Sequence, residues 1–552
     1  MNTVIVLGGY GGFGARLSRR LSEDGWRVLV AGRSLTKARL LAAELPAAEP
    51  LVADRNADLT QLLKEHRPLL LVDAAGPFQG SDYRVPEACI AQGIHYIDLA
   101  DARAFVCAIG TLDERARSAG VAVISGASSV PALSGAVLAE LAQGMDEVRS
   151  VDMSISASNK ATAGASVATA ILSYVGKPVR LWKGGTWQNE IGWRKLRREV
   201  YTVSGRPPLR RWVALAEVPD YELVPESLPG RPSTMFRAGP EAAFQVFGLW
   251  LLSWLVSWGW LNGLTGLSRW LLPLQRLTGW VSGRSAMAVE VKGTRNGEPT
   301  VSRWTLIAED GCGPEIPTLA AQLLARRIRQ GVLHAGARPA NGLLRLASFR
   351  ELFASLSIRD EITTTRSEPL YRRILGQQFD RLPEPVRAMH DVIGNAGAAG
   401  TATVVRGKSG PVRLIATVMG LPPEGTHSVH VTFEEENGVE RWTRRFSNHS
   451  FTSELSQQGE LLVERFGPLR FFFSLLPDTG NLKMMMAKWS VFGIPLPLAL
   501  APRSLATETG DQGKFHFDIS IALPLLGPLV HYKGHLNLLS IERRIRLAIA
   551  MN

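Results

Sequence analysis

The sequence predicts an α/β fold with a doubly wound parallel sheet, followed by an α+β domain and a C-terminal β-rich, barrel-like domain. Three observations lead to this prediction. A glycine-rich loop follows an apolar run at the N-terminus, strand and helix patterns alternate over the first third, and short alternating strands fill the last third. A chain of 552 residues is also too long for one hydrophobic core. We predict domains at residues 1–130, 131–358 and 370–552, with a charged, proline-containing linker between the last two.

A loop with five glycines in seven positions follows the first predicted strand. The stretch VIVLGGYGGFGARL, residues 4–17, leads from an apolar run into a segment of helical periodicity. Gly9, Gly11 and Gly14 fit the pattern G-x-G-x-x-G, which permits a tight turn, close approach of a pyrophosphate and packing of the helix on the strand. The helix N-terminus would present free N–H groups to phosphates. The loop therefore predicts a Rossmann-type dinucleotide-binding domain, with a purely structural turn as the alternative.

The end of the second predicted strand indicates which dinucleotide is bound. Where NAD-binding chains carry an acidic residue for the ribose 2′-hydroxyl, this sequence has Gly32, Arg33 and Ser34, with Lys37 one helical turn later. A cationic side chain suits a 2′-phosphate, so the sequence favours NADP over NAD. The alternative is that Arg33 is a solvated residue and Ser34 only caps the next helix.

Further strands over residues 51–53, 69–74, 94–99 and 121–125, separated by helical stretches, complete the doubly wound sheet. The cofactor crevice is expected at their carboxyl ends. The predicted cofactor-binding residues, for NADP, are Gly9, Gly11, Gly12, Phe13, Gly14, Arg33, Ser34, Lys37, Asp54, Ala75, Gly76 and Pro77.

The first domain resembles the N-terminal half of the saccharopine dehydrogenase-like oxidoreductases. The stretches that carry this resemblance are VDAAGPF, CIAQGIHYIDLAD and GASSVPALSGAVL, at residues 72–78, 89–101 and 126–138. The family also includes lipid-associated reductase-like proteins. The resemblance covers roughly residues 1–355 and implies NADP use, with the loop at residues 75–78 along the nicotinamide ribose.

The sequence departs from the family pattern where the substrate is expected. Many members follow the Tyr-x-Asp element with Gly-Glu, whereas Tyr96 and Asp98 are followed here by Ala-Asp at 100–101. Ser128 stands in a loop where members commonly carry acids. Because acids that could hold an ammonium group are missing, saccharopine is not the expected substrate. Tyr96, Asp98 and Ser128 are the candidate catalytic residues, since their strand ends converge on the crevice, although each could equally be structural.

An apolar, tryptophan-rich segment at residues 242–281 interrupts the second domain. Residues 242–268 are 27 consecutive uncharged residues, which is long enough for a membrane span. A single crossing would separate the predicted strands at 148–158 and 285–310, which read as one antiparallel sheet with a hairpin at Asn296-Gly297. A monotopic or hairpin membrane anchor fits better, with the basic stretch at residues 180–211 attracting anionic head groups. A buried helix pair or a homodimer interface is the alternative.

The C-terminal third is predicted to form about eight strands, at residues 400–405, 412–418, 428–434, 440–446, 459–466, 469–476, 514–523 and 530–538. It resembles a bacterial domain family of unknown function through LGQQFDRLP, RWTRRFSNHSFTS, ERFGPLRFFFSL and HYKGHLNL. This resemblance implies no chemistry.

Composition limits the remaining possibilities. The formal net charge of +12 suits an anionic partner, and an anionic membrane surface is favoured over nucleic acid because no nucleic-acid-binding motif is present. Three separated cysteines indicate neither a disulfide framework nor a zinc site, and no metal is expected. No signal peptide is visible, so we expect a cytoplasmic protein, peripheral on the inner face of the cell membrane.

The sequence therefore predicts an NADP-dependent oxidoreductase that acts at the membrane on an apolar, lipid-like small molecule. A non-catalytic NADP-binding lipid carrier or membrane scaffold is the second hypothesis, motivated by the missing acids. A cytosolic opine-type amino acid dehydrogenase is the third, disfavoured by the same acids and by the tryptophan-rich segment.

Overall fold

The architecture is taken from a computed structural model, which describes residues 1–159, 165–267, 282–447, 449–478 and 480–539. The C-terminal part of the predicted apolar segment, residues 268–281 with Trp270 and Trp280, lies outside the described residues.

The first domain is a doubly wound parallel sheet, as the sequence predicts. Apolar β-branched runs form its central strands, which are buried on both faces by helices. The strands are β1 (Thr3–Leu7), β2 (Arg27–Gly32), β3 (Ala48–Val52), β4 (Leu70–Asp73), β5 (His95–Asp98) and β6 (Ala122–Ser125), in the order 3-2-1-4-5-6. The helices are α1 (Gly12–Glu23), α2 (Leu35–Ala42), α3 (Thr60–His66), α4 (Arg84–Ala91), α5 (Arg103–Cys107), α6 (Asp113–Ser118) and α7 (Ser134–Ala142).

A second sheet of seven strands packs beside the first. Its elements, in chain order, are β7 (Glu147–Ala157), α8 (Ala165–Tyr174), the separate hairpin β8 (Pro178–Lys183) and β9 (Thr186–Ile191), β10 (Arg197–Tyr201), β11 (Leu209–Leu215), α9 (Asp220–Ser227), β12 (Ser233–Pro240), α10 (Ala243–Ser257), β13 (Ser285–Arg295) and β14 (Glu298–Ala308). They are followed by α11 (Ile316–Arg329), β15 (Gly336–Pro339), α12 (Leu346–Phe353) and β16 (Ile358–Arg366).

The strand order in the second sheet is 10-11-12-7-13-14-16, and only β12 and β7 are parallel neighbours. The predicted hairpin is present, because Asn296 and Gly297 both have positive φ, as a type I′ turn requires. β7 pairs antiparallel with β13. The apolar segment between these two strands therefore starts and ends in one sheet.

The chain returns to the first domain before the second sheet is complete. α11 packs on α1, where Arg20 pairs with Glu315 at 2.8 Å and Arg326 with Asp24 at 2.6 Å. β15 then pairs in parallel with β6 as the seventh strand of the first sheet. The predicted boundaries place both elements in the second domain, because the sequence pattern does not show which sheet a strand joins.

Two sequence predictions in the later part of the chain are wrong. The predicted linker at residues 359–369 is mostly β16, an edge strand that pairs with β14 and exposes Arg359 and Arg366. The predicted strand at 412–418 is a helix, Gly410–Val418, which buries Val412 and Ala416 at a spacing of four residues. Its β-branched residues suggest a strand, whereas the burial follows the helical period.

The C-terminal domain is a closed barrel of ten strands with an extra hairpin strand. β22 pairs with both β21 and β23, and this pairing closes the sheet. Its helices are α13 (Leu370–Leu375), α14 (Glu384–His390) and α15 (Gly410–Val418). Its strands are β17 (Asn395–Arg406), β18 (Gly425–Glu436), β19 (Val439–Phe446), β20 (His449–Gln458), β21 (Leu461–Phe466), β22 (Leu469–Asp478), β23 (Asn481–Val491), β24 (Ile494–Leu496), β25 (Arg503–Asp511), β26 (Lys514–Leu523) and β27 (Gly527–Leu538).

Three consecutive acids of β18 join the barrel to the second sheet and to the separate hairpin β8–β9. Glu434 pairs with Lys183 at 2.7 Å, Glu435 with Lys292 at 2.8 Å and Glu436 with Arg197 at 3.4 Å. These contacts use part of the basic stretch at residues 180–211. Acidic partners among the described residues pair with five of its nine cations: Lys183, Lys195, Arg197, Arg206 and Arg211. The stretch is therefore not the continuous basic surface that the sequence suggests.

Candidate functional site

The glycine-rich loop joins β1 to α1 at the carboxyl edge of the first sheet. Gly8 has a positive φ of 70°, and a side chain on Gly9 would place its Cβ 2.8 Å from the carbonyl oxygen of Val6. A Cβ on Gly14 would overlap the carbonyl oxygen of Gly8. A Cβ on Gly11 would meet only that oxygen, at 3.0 Å. Gly9 and Gly14 are thus required by packing, while Gly11 is set at the open side of the loop.

The N-terminus of α1 fits an anionic group. Within the described chain, the backbone N–H groups of Gly12, Phe13 and Gly14 have no protein acceptor, and the first turn carries no acidic side chain. A helix N-terminus with free N–H groups attracts phosphate through hydrogen bonds and the helix dipole. These three residues, with Gly11, would hold the pyrophosphate of a dinucleotide.

The end of β2 carries two exposed cations. Arg33 and Lys37 form no ion pair within the described residues. Ser34 caps α2, since its Oγ accepts the N–H of Lys37 at 3.4 Å, and its own N–H donates to the Tyr10 hydroxyl at 2.8 Å. The Tyr10 ring lies against Gly32, where a Cβ would meet the ring. Tyr10 thus fixes the glycine loop to the end of β2, a contact that the sequence prediction missed.

A buried ion pair supports the loop after β4. Arg55 Nε donates to Asp73 Oδ2 at 2.7 Å, and Asp73 Oδ1 accepts the N–H of Ala75 at 3.0 Å. The Arg55 guanidinium also stacks on the Phe78 ring, 4.4 Å from its centre. The Arg55–Asp73 pair therefore supports the loop that contains the predicted cofactor residues Ala75, Gly76 and Pro77. An acid at the end of an apolar strand was the sequence signal for this support.

Two further hydrogen bonds lie at this edge of the sheet. The carbonyl oxygen of Gly76 accepts a hydrogen bond from Ser166 Oγ of α8 at 2.9 Å, so the second domain touches the loop after β4. Asp54, after β3, is partly exposed and accepts the N–H of Asn56 at 3.0 Å. The structure thus brings the predicted cofactor residues to one edge of the sheet.

Two of the three candidate catalytic residues are sealed in the core. Tyr96 and Asp98 are both fully buried, and neither lines the large cavity described below. Asp98 Oδ1 accepts hydrogen bonds from Ser125 Oγ and from the N–H groups of Ala100 and Gly126, at 2.8 to 3.0 Å. Burial raises the pKa of the Asp98 carboxyl to about 7, against these hydrogen bonds. In this position Asp98 fixes the turns after β5 and β6; its catalytic assignment stays a prediction.

The third candidate, Ser128, lines a cavity of about 1320 Å³ between the two sheets and the helices α8 and α10. Phe13 of the glycine-rich loop and Phe78 line the same cavity. The cavity therefore adjoins the carboxyl edge of the first sheet that carries the predicted cofactor residues, which we call the nucleotide edge. Most of the other lining side chains are apolar. They include Leu99, Phe105, Val130, Ile155, Val167, Ile171, Leu172, Trp193, Phe236, Phe244, Leu249, Leu251, Leu252 and Met287.

Polar groups gather at the end of the cavity near Phe78. Gln79 Nε2 donates to Asp101 Oδ1 at 3.1 Å. Arg103 pairs with Glu217 at 3.0 Å and Glu222 at 2.8 Å. We call this group of residues the polar end of the cavity. The rest of the lining is mostly apolar, with further polar groups from Ser156, Ser158, Asn159, Gln245 and Ser285. A predominantly apolar lining with few polar groups is typical of sites for small molecules.

α10 forms one wall of the cavity and also carries exposed apolar side chains. Phe244, Phe247, Leu251, Trp258 and Trp260 are exposed on α10 and the turn that follows it. Phe244 and Leu251 also line the cavity, so the exposed apolar surface continues into its interior. In contrast, Trp250 and Trp254 are half-buried, and the Arg194 guanidinium stacks on Trp254 at 3.4 Å from the ring centre.

Two further features concern the described residues alone. No helix among them is both long and apolar enough to span a bilayer; α10 has 15 residues. In the same part of the chain, no three His, Cys, Asp or Glu side chains are grouped to hold a metal ion.

Two family models match parts of the chain. Residues 4–124 match the family model described as the saccharopine dehydrogenase NADP binding domain, and residues 382–536 match that of a domain of unknown function, DUF4166. No curated protein matches the chain.

Solved structures show similarity at low identity. A saccharopine dehydrogenase (L-Glu forming) from Saccharomyces cerevisiae aligns at 13% identity and a TM-score of 0.48, over 66% of this chain and 100% of that chain. An amine dehydrogenase from Mycobacterium smegmatis aligns at 12% identity and a TM-score of 0.35, over 62% and 94%.

The family matches confirm the resemblance predicted from the sequence at both ends of the chain. The N-terminal family implies a nicotinamide dinucleotide as cofactor, and the free N–H groups of α1 fit its pyrophosphate. The chain thus joins an N-terminal segment that is similar to the saccharopine dehydrogenase NADP binding domain to a C-terminal segment that is similar to the domain of unknown function DUF4166.

Proposed function

We propose that the protein is an NADP-dependent oxidoreductase that acts on an apolar, lipid-like substrate at a membrane surface. The observation that carries this proposal is the position of the 1320 Å³ apolar cavity, which shares Phe13 and Phe78 with the nucleotide edge. A substrate bound in this cavity would lie beside a nucleotide bound along the glycine loop. The bound nicotinamide would supply or accept hydride, while the protein orients the substrate and excludes water.

The choice of NADP is supported by Arg33 and Lys37. Both are exposed at the end of β2 and unpaired within the described residues, so both are available to the 2′-phosphate. Arg33→Ala should narrow the preference for NADPH over NADH by about 1.5–3 kcal/mol, the size of a charge-assisted hydrogen bond. Equal affinities of the parent protein for NADPH and NADH, measured by calorimetry, would contradict the NADP assignment.

Action at a membrane is supported by the wall formed by α10. Exposed apolar side chains continue over Phe244 and Leu251 into the cavity, so a lipid could pass from an apolar phase to the site without crossing water. Trp258 and Trp260 are suited to the bilayer interface, which tryptophan prefers. Electrostatic attraction to anionic lipid head groups would come from cations near α10 that form no ion pair within the described residues, such as Arg194 and Arg210.

A second function is favoured by one specific observation. Because Tyr96 and Asp98 are sealed in the core, two of the three expected catalytic groups do not reach the cavity. A non-catalytic NADP-binding lipid carrier would have the same cavity and nucleotide edge without needing these groups.

Turnover separates the two functions. We expect purified protein, given NADPH and a total bacterial lipid extract in detergent-free vesicles, to oxidise NADPH and to shift the mass of one lipid species by two hydrogens. The Gly11→Val variant, which blocks the pyrophosphate position, serves as the control without cofactor binding. Stoichiometric NADPH binding with no oxidation in any lipid fraction would instead favour the carrier.

A further inference from the structure

Asp101 lies at the polar end of the cavity, three residues beyond the end of β5. The carboxyl edge of a parallel sheet is where such folds place groups that act on ligands. Asp101 Oδ1 accepts the Gln79 Nε2–H group at 3.1 Å. Since Gln79 directly follows the loop at residues 75–78, this contact holds the carboxyl beside the nucleotide edge.

The surroundings of Asp101 favour its neutral form. Among the described residues no cation pairs with it, because Arg103 is bound to Glu217 and Glu222. The neighbouring titratable group from α8 is the Tyr174 hydroxyl, which also lines the cavity. Burial raises the pKa of the Asp101 carboxyl, and the hydrogen bond from Gln79 reverses this only in part.

The same arrangement restricts the substrate. Arg103 is the one cationic side chain among the described lining residues, and its two acidic partners neutralise it. A carboxylate or phosphate would find no free cation at this end of the cavity. The polar end therefore suits a neutral oxygen function.

We propose that Asp101 is the proton-transfer residue of the cavity, acting on the oxygen of a neutral lipid that carries a ketone or a secondary alcohol. This proposal rests on the proposed oxidoreductase function. In reduction, the carbonyl carbon gains a hydride and its π electron pair moves to oxygen, which takes the proton from the Asp101 carboxyl. The resulting Asp101 carboxylate regains a proton from water; NADPH, the reductant, leaves as NADP⁺. Oxidation of the alcohol reverses each transfer.

The first test needs no cofactor and no turnover. Dicyclohexylcarbodiimide is apolar and modifies carboxyl groups in their protonated form. We expect it to modify Asp101 in the full chain, as located by peptide mass spectrometry. The modification should decrease as the pH is raised, because the carboxyl ionises, and Nile red in the cavity should protect Asp101.

Asp98 and Asp220 are the internal controls. Burial raises the pKa of their carboxyls to about 7 and about 6, so both are protonated in the acidic part of the pH range tested. Both are sealed in the core and neither lines the cavity, so they should stay unmodified. Absence of modification at Asp101 at every pH, or equal modification of all three acids, would overturn the proposal.

The second test is Asp101→Asn, which keeps an acceptor for Gln79 and removes the proton. With 2-tridecanone and NADPH as probes, we expect kcat to fall by about 10²- to 10⁴-fold. The Kd values for NADPH and Nile red should change by less than about twofold, and the matched variant Asp220→Asn should retain the parent rate. An unchanged kcat in Asp101→Asn would overturn the proposal. Modified Asp101 in a protein that never oxidises NADPH would contradict the proposed function, and the proton transfer with it, while the neutral cavity-facing carboxyl would stand.

Discussion

The Arg55 guanidinium donates a 2.7 Å hydrogen bond to the Asp73 carboxylate beneath the loop at residues 75–78. Asp73 is fully buried and the Arg55 side chain is 11% exposed, so neither charge is well solvated. Asp73→Asn leaves the Arg55 cation buried without an anion. We expect the free energy of unfolding to fall by about 3–5 kcal/mol in urea titrations, the usual cost of breaking a buried pair.

The matched control is Asp82→Asn, which breaks the exposed pair between Asp82 and Arg84. This variant should unfold at the parent's urea concentration, because exposed pairs stabilise proteins little. Equal urea midpoints for the Asp73 and Asp82 variants would show that the buried pair does not support the loop.

Gly11 and Gly14 should respond differently to the same substitution. A Cβ on Gly14 overlaps the Gly8 carbonyl oxygen, so Gly14→Ala must separate α1 from β1 and should lower the thermal midpoint by several degrees. Gly11→Ala has one close contact, at 3.0 Å, on the side where the pyrophosphate is expected. It should keep nearly the parent midpoint and weaken NADPH binding at least tenfold. If Gly11→Ala bound NADPH normally, Gly11 would serve the turn alone.

Asp98 predicts a pH dependence of stability. Burial raises its pKa from 3.8 to about 7, so the folded state binds the proton more tightly than the unfolded state. The stability that this proton provides is complete below pH 4 and is lost as the pH rises to about 7. Asp98→Asn keeps the three hydrogen bonds to Oδ1 and cannot ionise. Since each pKa unit is worth about 1.4 kcal/mol, the variant should gain a few kcal/mol relative to the parent between pH 4 and pH 8.

Urea titrations of both proteins at pH 4.5, 6 and 8 check this prediction. The new amide group changes the stability of the variant by an amount that is independent of pH. The test is therefore how the difference in unfolding free energy between variant and parent changes with pH. Parallel stability curves for parent and variant would mean that Asp98 is ionised throughout. Loss of NADPH turnover in a fully folded variant would support the catalytic assignment instead.

The exposed side chains of α10 predict binding to vesicles. Phe247, Trp258 and Trp260 are 37%, 60% and 74% exposed and do not line the cavity. Burying one large apolar side chain is worth about 1.5–3 kcal/mol, so three serine substitutions should release the protein from anionic vesicles while NADPH binding survives. High salt should weaken but not abolish binding of the parent, because part of the attraction is electrostatic.

The control for vesicle binding lies in the C-terminal domain. Phe492, Leu498 and Leu500 are similarly exposed, and their replacement by serine should leave sedimentation unchanged. Release by this control variant, or no sedimentation of the parent with any vesicle, would contradict a membrane contact through α10.

Local patterns explain what the sequence predicts well. The first sheet, the glycine loop and the Asn296-Gly297 hairpin depend on periodicity and on backbone conformations that few residues adopt. The seventh strand, Gly336–Pro339, was missed because it pairs with a strand more than 200 residues earlier, and no local signal records that pairing.

The candidate site was predictable only in part. The glycines and Arg33 belong to a motif whose spacing carries its chemistry, so their position at one edge follows from the sequence. Asp98 is enclosed by the turns after β5 and β6, and Asp101 meets a cavity that the second domain helps to form; the pattern YIDLAD records neither arrangement. The cavity itself arises between two sheets and two helices distant in sequence.

The most direct test of the account is to fill the cavity and measure the lipid-dependent oxidation of NADPH. Gly248 lines the cavity from α10, and a Cβ there would meet no atom within 4 Å, so Gly248→Trp should fold and occupy the substrate site. Gly110→Trp adds the same side chain at an exposed glycine that has equal space and does not line the cavity. We predict that Gly248→Trp binds NADPH with the parent's affinity but loses lipid-dependent oxidation, whereas Gly110→Trp keeps both. Full oxidation by Gly248→Trp would contradict the assignment of the cavity as the substrate site.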